Sequence, residues 1–206
     1  MTHIPEPNGG GGATSVLREA CLVLAAGGLL ALAANFLSPR GLSLTRHYFP
    51  EPIRTNAPAA NTNVRAAAEL TAERLKAQGL RVADHEQTAR LFRDPRRDQE
   101  SIVFVDARDE PHYAASHIPG AYLFDHYRPE TYLPALLPVC LTAETIVIYC
   151  TGGDCEDSGY AALTLRDAGV PNEKLLVYPG GITDWHNHGL PLETGSRNSG
   201  NLLDNP

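Results

Sequence analysis

The chain has 206 residues, 43% of them hydrophobic, with 17 Lys and Arg against 24 Asp and Glu and a formal net charge of −7. A single core commonly uses about 100–150 residues, so one domain with attached segments fits this length. The acidic balance argues against a nucleic-acid partner, because phosphates are held by clustered Lys and Arg.

Residues 1–15 include a GGGG run at 9–12 and lack the apolar content to fold alone, so they are expected to be disordered. Residues 20–34 carry no charge, and the run extends through residue 37. Eighteen helical residues rise about 27 Å, against a hydrocarbon core of about 30 Å. A single-pass anchor over residues 16–37, in contact with the membrane through residues 20–37, is the leading expectation. A cleaved signal peptide is the alternative: Ala31-Leu32-Ala33 resembles a cleavage site, although Glu19 cancels Arg18 in the preceding region. A buried core helix comes last, since no polar face recurs at helical spacing. Arg40, Arg46 and Arg54 on the C-terminal flank, against Arg18 on the other, favour a cytoplasmic location for the C-terminal domain, with a periplasmic one as the alternative.

Pro39, Pro50, Pro52 and Pro58 mark an extended tether within residues 38–79. Residues 64–78 are rich in helix formers, and Gly79 closes them at a C-cap position. Whether this helix packs on the domain or stands as a stalk is left open.

Strand and helix then alternate. Strands are expected at 80–83, 101–107, 145–150 and 175–178, where β-branched and apolar residues run together. Helices are expected from an Asp84 cap to about Phe92, and over 110–115, 158–168 and 183–187. Arg90, Arg93, Arg96 and Arg97, interrupted by Asp94 and Asp98, read as a solvated helix end and loop. Cys140 reads as lying in a Pro-flanked loop, and the polar tail over 195–206 as disordered. Buried strands alternating with helices imply an α/β fold with a mainly parallel sheet, which binds ligands beyond the carboxyl ends of its strands. Cys150 stands at one of those ends.

The four cysteines, Cys21, Cys140, Cys150 and Cys155, are too few and too unevenly placed for a disulfide framework, and C-x4-C without a second pair of ligands is a poor zinc site. Asp154, Glu156 and Asp157 lack the alternating oxygen pattern of a calcium loop and read as solvated acids. After Cys150, Thr151, Gly152 and Gly153 open a loop in which the glycines permit positive φ. Backbone amides of this loop and of the next helix can stabilise a thiolate on Cys150. Asp157 or Ser158 is placed to cap that helix.

Three segments together, FVDARDEPHYAASHIPGA at 104–121, IVIYC at 146–150 and YPGGITDWHNHGLPLETG at 178–195, resemble the signature regions of the rhodanese-like domain. With the apolar segment ahead of them, and a loop of the form CxGGxCxxS, they resemble the membrane-anchored bacterial type. The resemblance covers residues 80–194. It implies a five-stranded parallel sheet flanked by helices, here preceded by a single N-terminal hydrophobic helix. It further implies a Cys150 that takes sulfane sulfur from a small donor such as thiosulfate or a persulfide and passes it to a thiol or cyanide. No metal or cofactor is implied. Asp106 is expected to brace the loop, and Arg108 either to supply a cation or to bridge two loops.

The loop departs from the family pattern. It looks two residues longer than that of many single-domain rhodaneses, and it has no arginine to grip a phosphate, while its three acids would repel one, which argues against a phosphatase. The same acids oppose thiolate formation unless they point outward, as expected here. Cys155 supports two readings side by side: a resolving thiol for Cys150 in a thiol-disulfide or sensor protein, or a small side chain that fills space. A non-catalytic interaction module is the remaining alternative. His117 and Trp185 read as structural. His112, His126, His186 and His188 show no spacing that compels a metal.

Overall fold

The computed structural model describes residues 12–37 and 60–203. The chain divides into two compact units, residues 1–52 and 53–206. Expectations for residues 1–11, for the tether over 38–59 and for 204–206 lie outside the described residues.

The first unit holds α1 (Gly12–Leu37). Within it, Ser15–Asn35 is a 21-residue stretch long and apolar enough to cross a membrane by length and composition. At 1.5 Å per residue it rises about 31 Å, close to one hydrocarbon thickness. Leu22, Val23, Leu24, Leu29 and Leu30 are 62–75% exposed. By length and composition the stretch fits a membrane span or a signal sequence, and none of it is buried.

The second unit begins with α2 (Ala60–Ala77), then β1 (Arg81–Val82) and α3 (His85–Phe92). Asp84 caps α3, accepting from the amide of Gln87 at 2.7 Å. Next come β2 (Ile102–Asp106), α4 (Glu110–Ala115), β3 (Tyr122–Leu123), α5 (Pro129–Thr142), β4 (Thr145–Tyr149), α6 (Asp157–Asp167), β5 (Leu175–Tyr178), α7 (Gly181–Asn187), β6 (Leu192–Glu193) and β7 (Leu202–Leu203). The main sheet has five strands in the order β1-β5-β4-β2-β3, with every pairing parallel. Its register sets Asp106, Tyr149 and Tyr178 side by side at the carboxyl ends.

Both faces of the sheet are covered, which is why β2, β4 and β5 read as unbroken apolar runs. Alternation along β4 sends Ile146, Ile148 and Cys150 into the core shared with Leu75 of α2, Leu136 of α5 and Leu165 of α6. Val147 and Tyr149 face the other way, toward Ile182, Trp185 and Phe104. Burying a side chain such as Ile148 contributes about 1.5–3 kcal/mol.

Several expectations are corrected. Cys140 lies in α5, not in a loop, and is fully buried there. Pro134 and Pro138 are inside this helix, four residues apart on its exposed side, where water reaches the carbonyls that their missing amides leave unpaired. Arg97 is not solvated: its guanidinium lies 4.1 Å from the Phe92 ring centroid and donates to the carbonyl of Phe92 at 3.0 Å. The tail is ordered through residue 203. β7 pairs antiparallel with β6, and Arg197 donates to the carbonyl of Gly120 at 3.0 Å while lying over the Tyr122 ring. The helix over 64–78, left between stalk and packed helix, is packed, with Leu75 and Thr71 buried.

Candidate active site around Cys150

Cys150 is the first residue past β4, and its continuation of the strand alternation buries the residue completely. From there the chain reverses through Thr151, Gly152, Gly153, Asp154, Cys155 and Glu156 into α6. Gly152 and Gly153 hold φ values of +97° and +69°, the left-handed region that glycine enters without strain. Gly152 also needs its missing side chain, since a Cβ there would lie 1.9 Å from the carbonyl oxygen of Gly180. Gly181, at φ +60°, presses back on the loop, where a Cβ would meet the Gly152 nitrogen at 2.4 Å. Two glycine pairs therefore interlock backbone to backbone. The amides of Ile182 and Thr183 donate to the carbonyls of Cys150 and Thr151 at 2.9 and 3.2 Å, and the Gly153 amide donates to Pro179 at 3.2 Å.

This frame turns hydrogen-bond donors onto one sulfur. Ser158 Oγ is 3.4 Å from Cys150 Sγ. Burial pushes the Cys150 thiol up, but hydrogen bonds from the side chains of Cys155 and Ser158 and the amides of Gly152 and Ser158 outweigh it and hold the thiol below its ordinary range. Ser158 is thus not a helix cap, and neither is Asp157. The residue at the cap of α6 is Glu156, with no side-chain cap bond, and the Ser158 hydroxyl faces the sulfur instead.

Cys155 behaves in the opposite sense. Its hydrogen bond to Cys150, then burial, then the charges of Cys150 and Asp157 drive its thiol far above the ordinary range. Within the pair, Cys150 is the thiol that ionises more readily and Cys155 the one that holds its proton more tightly. Both cysteines are free thiols.

The loop acids differ from one another. Asp154 is exposed, as expected. Glu156 pairs with Arg74 of α2 at 3.2 Å. Asp157 does not point outward: its Oδ2 is 3.4 Å from Cys155 Sγ, and its Oδ1 accepts from Tyr127 Oη at 3.5 Å and lies 4.0 Å from His126 Nε2. His126 is nearly buried, stacks on Tyr160, meets the Tyr127 ring at a tilt, and is held below its ordinary range chiefly by burial. With Leu163, Thr164 and Asp167 these rings line an open cleft of about 460 Å³ that Cys150 does not line. Sequence spacing offers no signal that brings His126 and Tyr127 here.

Asp106 and Arg108 form a buried ion pair, with Arg108 Nε 2.9 Å from Oδ1 and Nη2 2.6 Å from Oδ2 of Asp106. Arg108 also donates to the carbonyl of Ser116 at 2.6 Å, so of its two expected roles the bridging one describes its contacts. Its charge still reaches Cys150, which helps to raise the Arg108 pKa above the ordinary value after burial and Asp106 have acted. His117 is a buried pin between the carbonyl of Tyr113 at 2.9 Å and Glu193 Oε2 at 3.1 Å. Trp185 donates to the carbonyl of Pro191 at 2.9 Å and packs edge-on against Phe92.

His85, Asp184 and His188, distant in sequence, each bring one ligand atom within 4.8 Å of the others. The two imidazole rings are stacked at 3.7 Å with 19° between their planes, so their in-plane lone pairs run alongside each other instead of converging on a cation. His188 Nδ1 lies 2.8 Å from the carbonyl of Asp184, and Tyr178 Oη donates to Asp184 Oδ2 at 2.5 Å, which makes the cluster a hydrogen-bond network.

Residues 88–188 match the family model of the Rhodanese-like domain. An uncharacterized protein of Synechocystis is 34% identical over 95 residues, 46% of this chain and 49% of that protein. Arsenate reductase 2.2 of rice is 27% identical over 124 residues, 56% of this chain and 89% of that protein. Among solved structures, thiosulfate sulfurtransferase from Pseudomonas aeruginosa superposes with a TM-score of 0.46 at 23% identity, over 66% of this chain and 24% of that one. The chain spans about half the length of the Synechocystis relative it matches.

Proposed function

We propose that the rhodanese-like domain at residues 88–188 works as a sulfurtransferase, with Cys150 as the sulfur carrier and the loop from Thr151 to Ser158 as the cradle of its charge. The observation that carries this reading is a strand-end sulfur with Ser158 Oγ 3.4 Å away at the start of α6, where this hydroxyl and the loop amides lower the Cys150 pKa in spite of burial. In the first step the Cys150 thiolate attacks the sulfane sulfur of thiosulfate. The bond to the sulfite sulfur breaks, sulfite leaves with the electron pair, and Cys150 becomes a persulfide. In the second step cyanide or an acceptor thiolate attacks the outer sulfur, and the pair in the sulfur–sulfur bond returns to Cys150. The thiolate is thereby restored, ready for the next donor.

The same donors that stabilise the thiolate suit the persulfide anion, whose charge lies one atom further out. Asp106 and Arg108 brace the neighbouring strand end without drawing a mobile cation into the loop. The apolar α1 is read as an anchor that holds the domain at a membrane, on the cytoplasmic side by the flanking arginines.

A second reading is favoured by the closeness of the two cysteines: Cys150 Sγ lies 3.6 Å from the carbonyl oxygen of Cys155, and the two thiols shift each other's pKa in opposite directions. In it, Cys155 gives up its proton and attacks Cys150 of the persulfide. Hydrosulfide leaves, a Cys150–Cys155 disulfide forms, and an external thiol reductant reopens it. The rice relative, by name an arsenate reductase, is in keeping with thiol redox chemistry on this loop.

One experiment separates the two. The full chain is incubated with thiosulfate and its cysteine peptides are mapped by mass spectrometry, with and without cyanide. One added sulfur atom on Cys150, and thiocyanate production that Cys150→Ser abolishes, support sulfur transfer. A Cys150–Cys155 disulfide as the sole product supports the second reading.

A further inference from the structure

We propose that α2 is an autoinhibitory strap: docked as it is, it holds the Cys150 loop shut, and sulfur transfer requires it to lift. This rests on the sulfurtransferase reading and adds a control over the same site. The premise is that Cys150 has 0% exposed surface. A donor cannot bring its sulfane sulfur into line with an atom that no solvent reaches, so the resting loop must open.

Two sides of the loop are held in different ways. On the α7 side the attachment is backbone to backbone, through the interlocked glycines and the amide bonds from Ile182 and Thr183. There is no slack there, and movement would break the frame that creates the thiolate. On the α2 side the attachment is by side chains alone. Ala67, Thr71 and Leu75 recur every fourth residue and form one stripe of the helix. Thr71, itself buried, donates its hydroxyl to the carbonyl of Gly153 at 2.8 Å. Ala67 Cβ is 4.0 Å from the position a Cβ on Gly153 would take. Arg74, on the rim, pairs with Glu156 at 3.2 Å. Leu75 Cδ2 sits 2.8 Å from the position a Cβ on Gly159 would take, so the absent side chain of Gly159 is the notch that receives Leu75.

The strap therefore grips residues on both sides of Cys155 and the first turn of α6, the segment that donates to the Cys150 sulfur. It lies outside the residues 88–188 matched to the family, as β1 does. Toward the loop the clasp is a hydroxyl bond, one partly exposed ion pair and one leucine in a notch; at its other end α2 stays tied to the sheet, the Leu80 amide donating to the Leu75 carbonyl at 3.0 Å, so the lifting is a pivot about that end with the sheet still folded.

The test uses the full chain and a small neutral alkylating probe, iodoacetamide, with labelling of each cysteine followed by peptide mapping. Thr71→Val with Arg74→Ala removes the polar clasp at little change in buried volume. Gly159→Ala fills the notch from the opposite side, and alanine favours the helix, so this variant is expected to fold. Both are expected to label Cys150 on the order of tenfold faster than the unaltered chain, with buried Cys140 remaining unlabelled. Wild-type labelling rates in both variants would overturn the strap, as would a parallel rise at Cys140, which signals global unfolding. Because alkylation reads access and not chemistry, fast labelling without sulfur transfer would refute the sulfurtransferase reading and leave the strap standing.

Discussion

Ser158 Oγ lies 3.4 Å from Cys150 Sγ, so a hydroxyl placed by sequence to cap a helix is aimed at a sulfur. Removing it takes a donor from the thiolate and an acceptor from the thiol, and the bond to the charged form is the stronger of the two. In Ser158→Ala the Cys150 pKa is expected to move up, toward the ordinary thiol range. As pH falls through the lowered pKa of the unaltered chain, the thiolate is protonated and reactivity drops. The variant makes that drop at higher pH. Alkylation of Cys150 followed from acid to alkaline pH should show the displaced midpoint; an unmoved midpoint would mean that the hydroxyl does not contact the anion.

Cys155→Ser and Cys155→Ala separate two duties of one residue. Serine retains a donor but cannot form a disulfide, so the titration midpoint of Cys150 is expected to stay near its place and thiocyanate production to continue. Alanine removes the donor, and the midpoint should rise. If the serine variant cannot turn over at all, the resolving-thiol reading takes precedence over sulfur transfer.

Adjacent glycines should respond unequally to alanine. At Gly153 a Cβ has only Ala67 within 4.0 Å, so the cost is the positive φ, about 1–3 kcal/mol. At Gly152 a Cβ would meet the Gly180 oxygen at 1.9 Å, so the loop must also leave α7. Gly152→Ala is expected to lower the urea midpoint further than Gly153→Ala and to abolish the low pKa of Cys150. Equal losses would mean that the interlock is not what orders the loop.

Asp106→Asn leaves Arg108 charged and buried without its counter-charge. Breaking a buried pair from one side costs about 3–5 kcal/mol, a large part of the stability of a domain of this size. Equilibrium unfolding in urea should show the loss. A change of less than about 1 kcal/mol would indicate that water reaches the guanidinium.

Much of this architecture is legible along the chain. The runs at 102–106, 145–149 and 175–178 are apolar on both faces because helices cover both, and that pattern survives in any window of sequence. Cys150 ends the middle run, and Gly152 with Gly153 announces a tight reversal. Helix α5 was not legible, because Pro134 and Pro138 read as breakers until their common exposed face is known. The tail was not legible either, since Arg197 finds its partners in Gly120 and Glu100, which lie far back along the chain.

The local code of residue types names the nucleophile candidate, the strand that carries it and the turn after it, because periodicity and turn chemistry act over a few neighbours. The identity of the donors is another matter. That Ser158 faces the sulfur, that Asp157 turns toward Cys155 and that Thr71 closes the loop from 82 positions away are consequences of closing the sheet and docking α2 against it. Distances between remote side chains come into being only when the layers pack, and those distances decide whether a cysteine at a strand end is an anion, and whether anything can reach it.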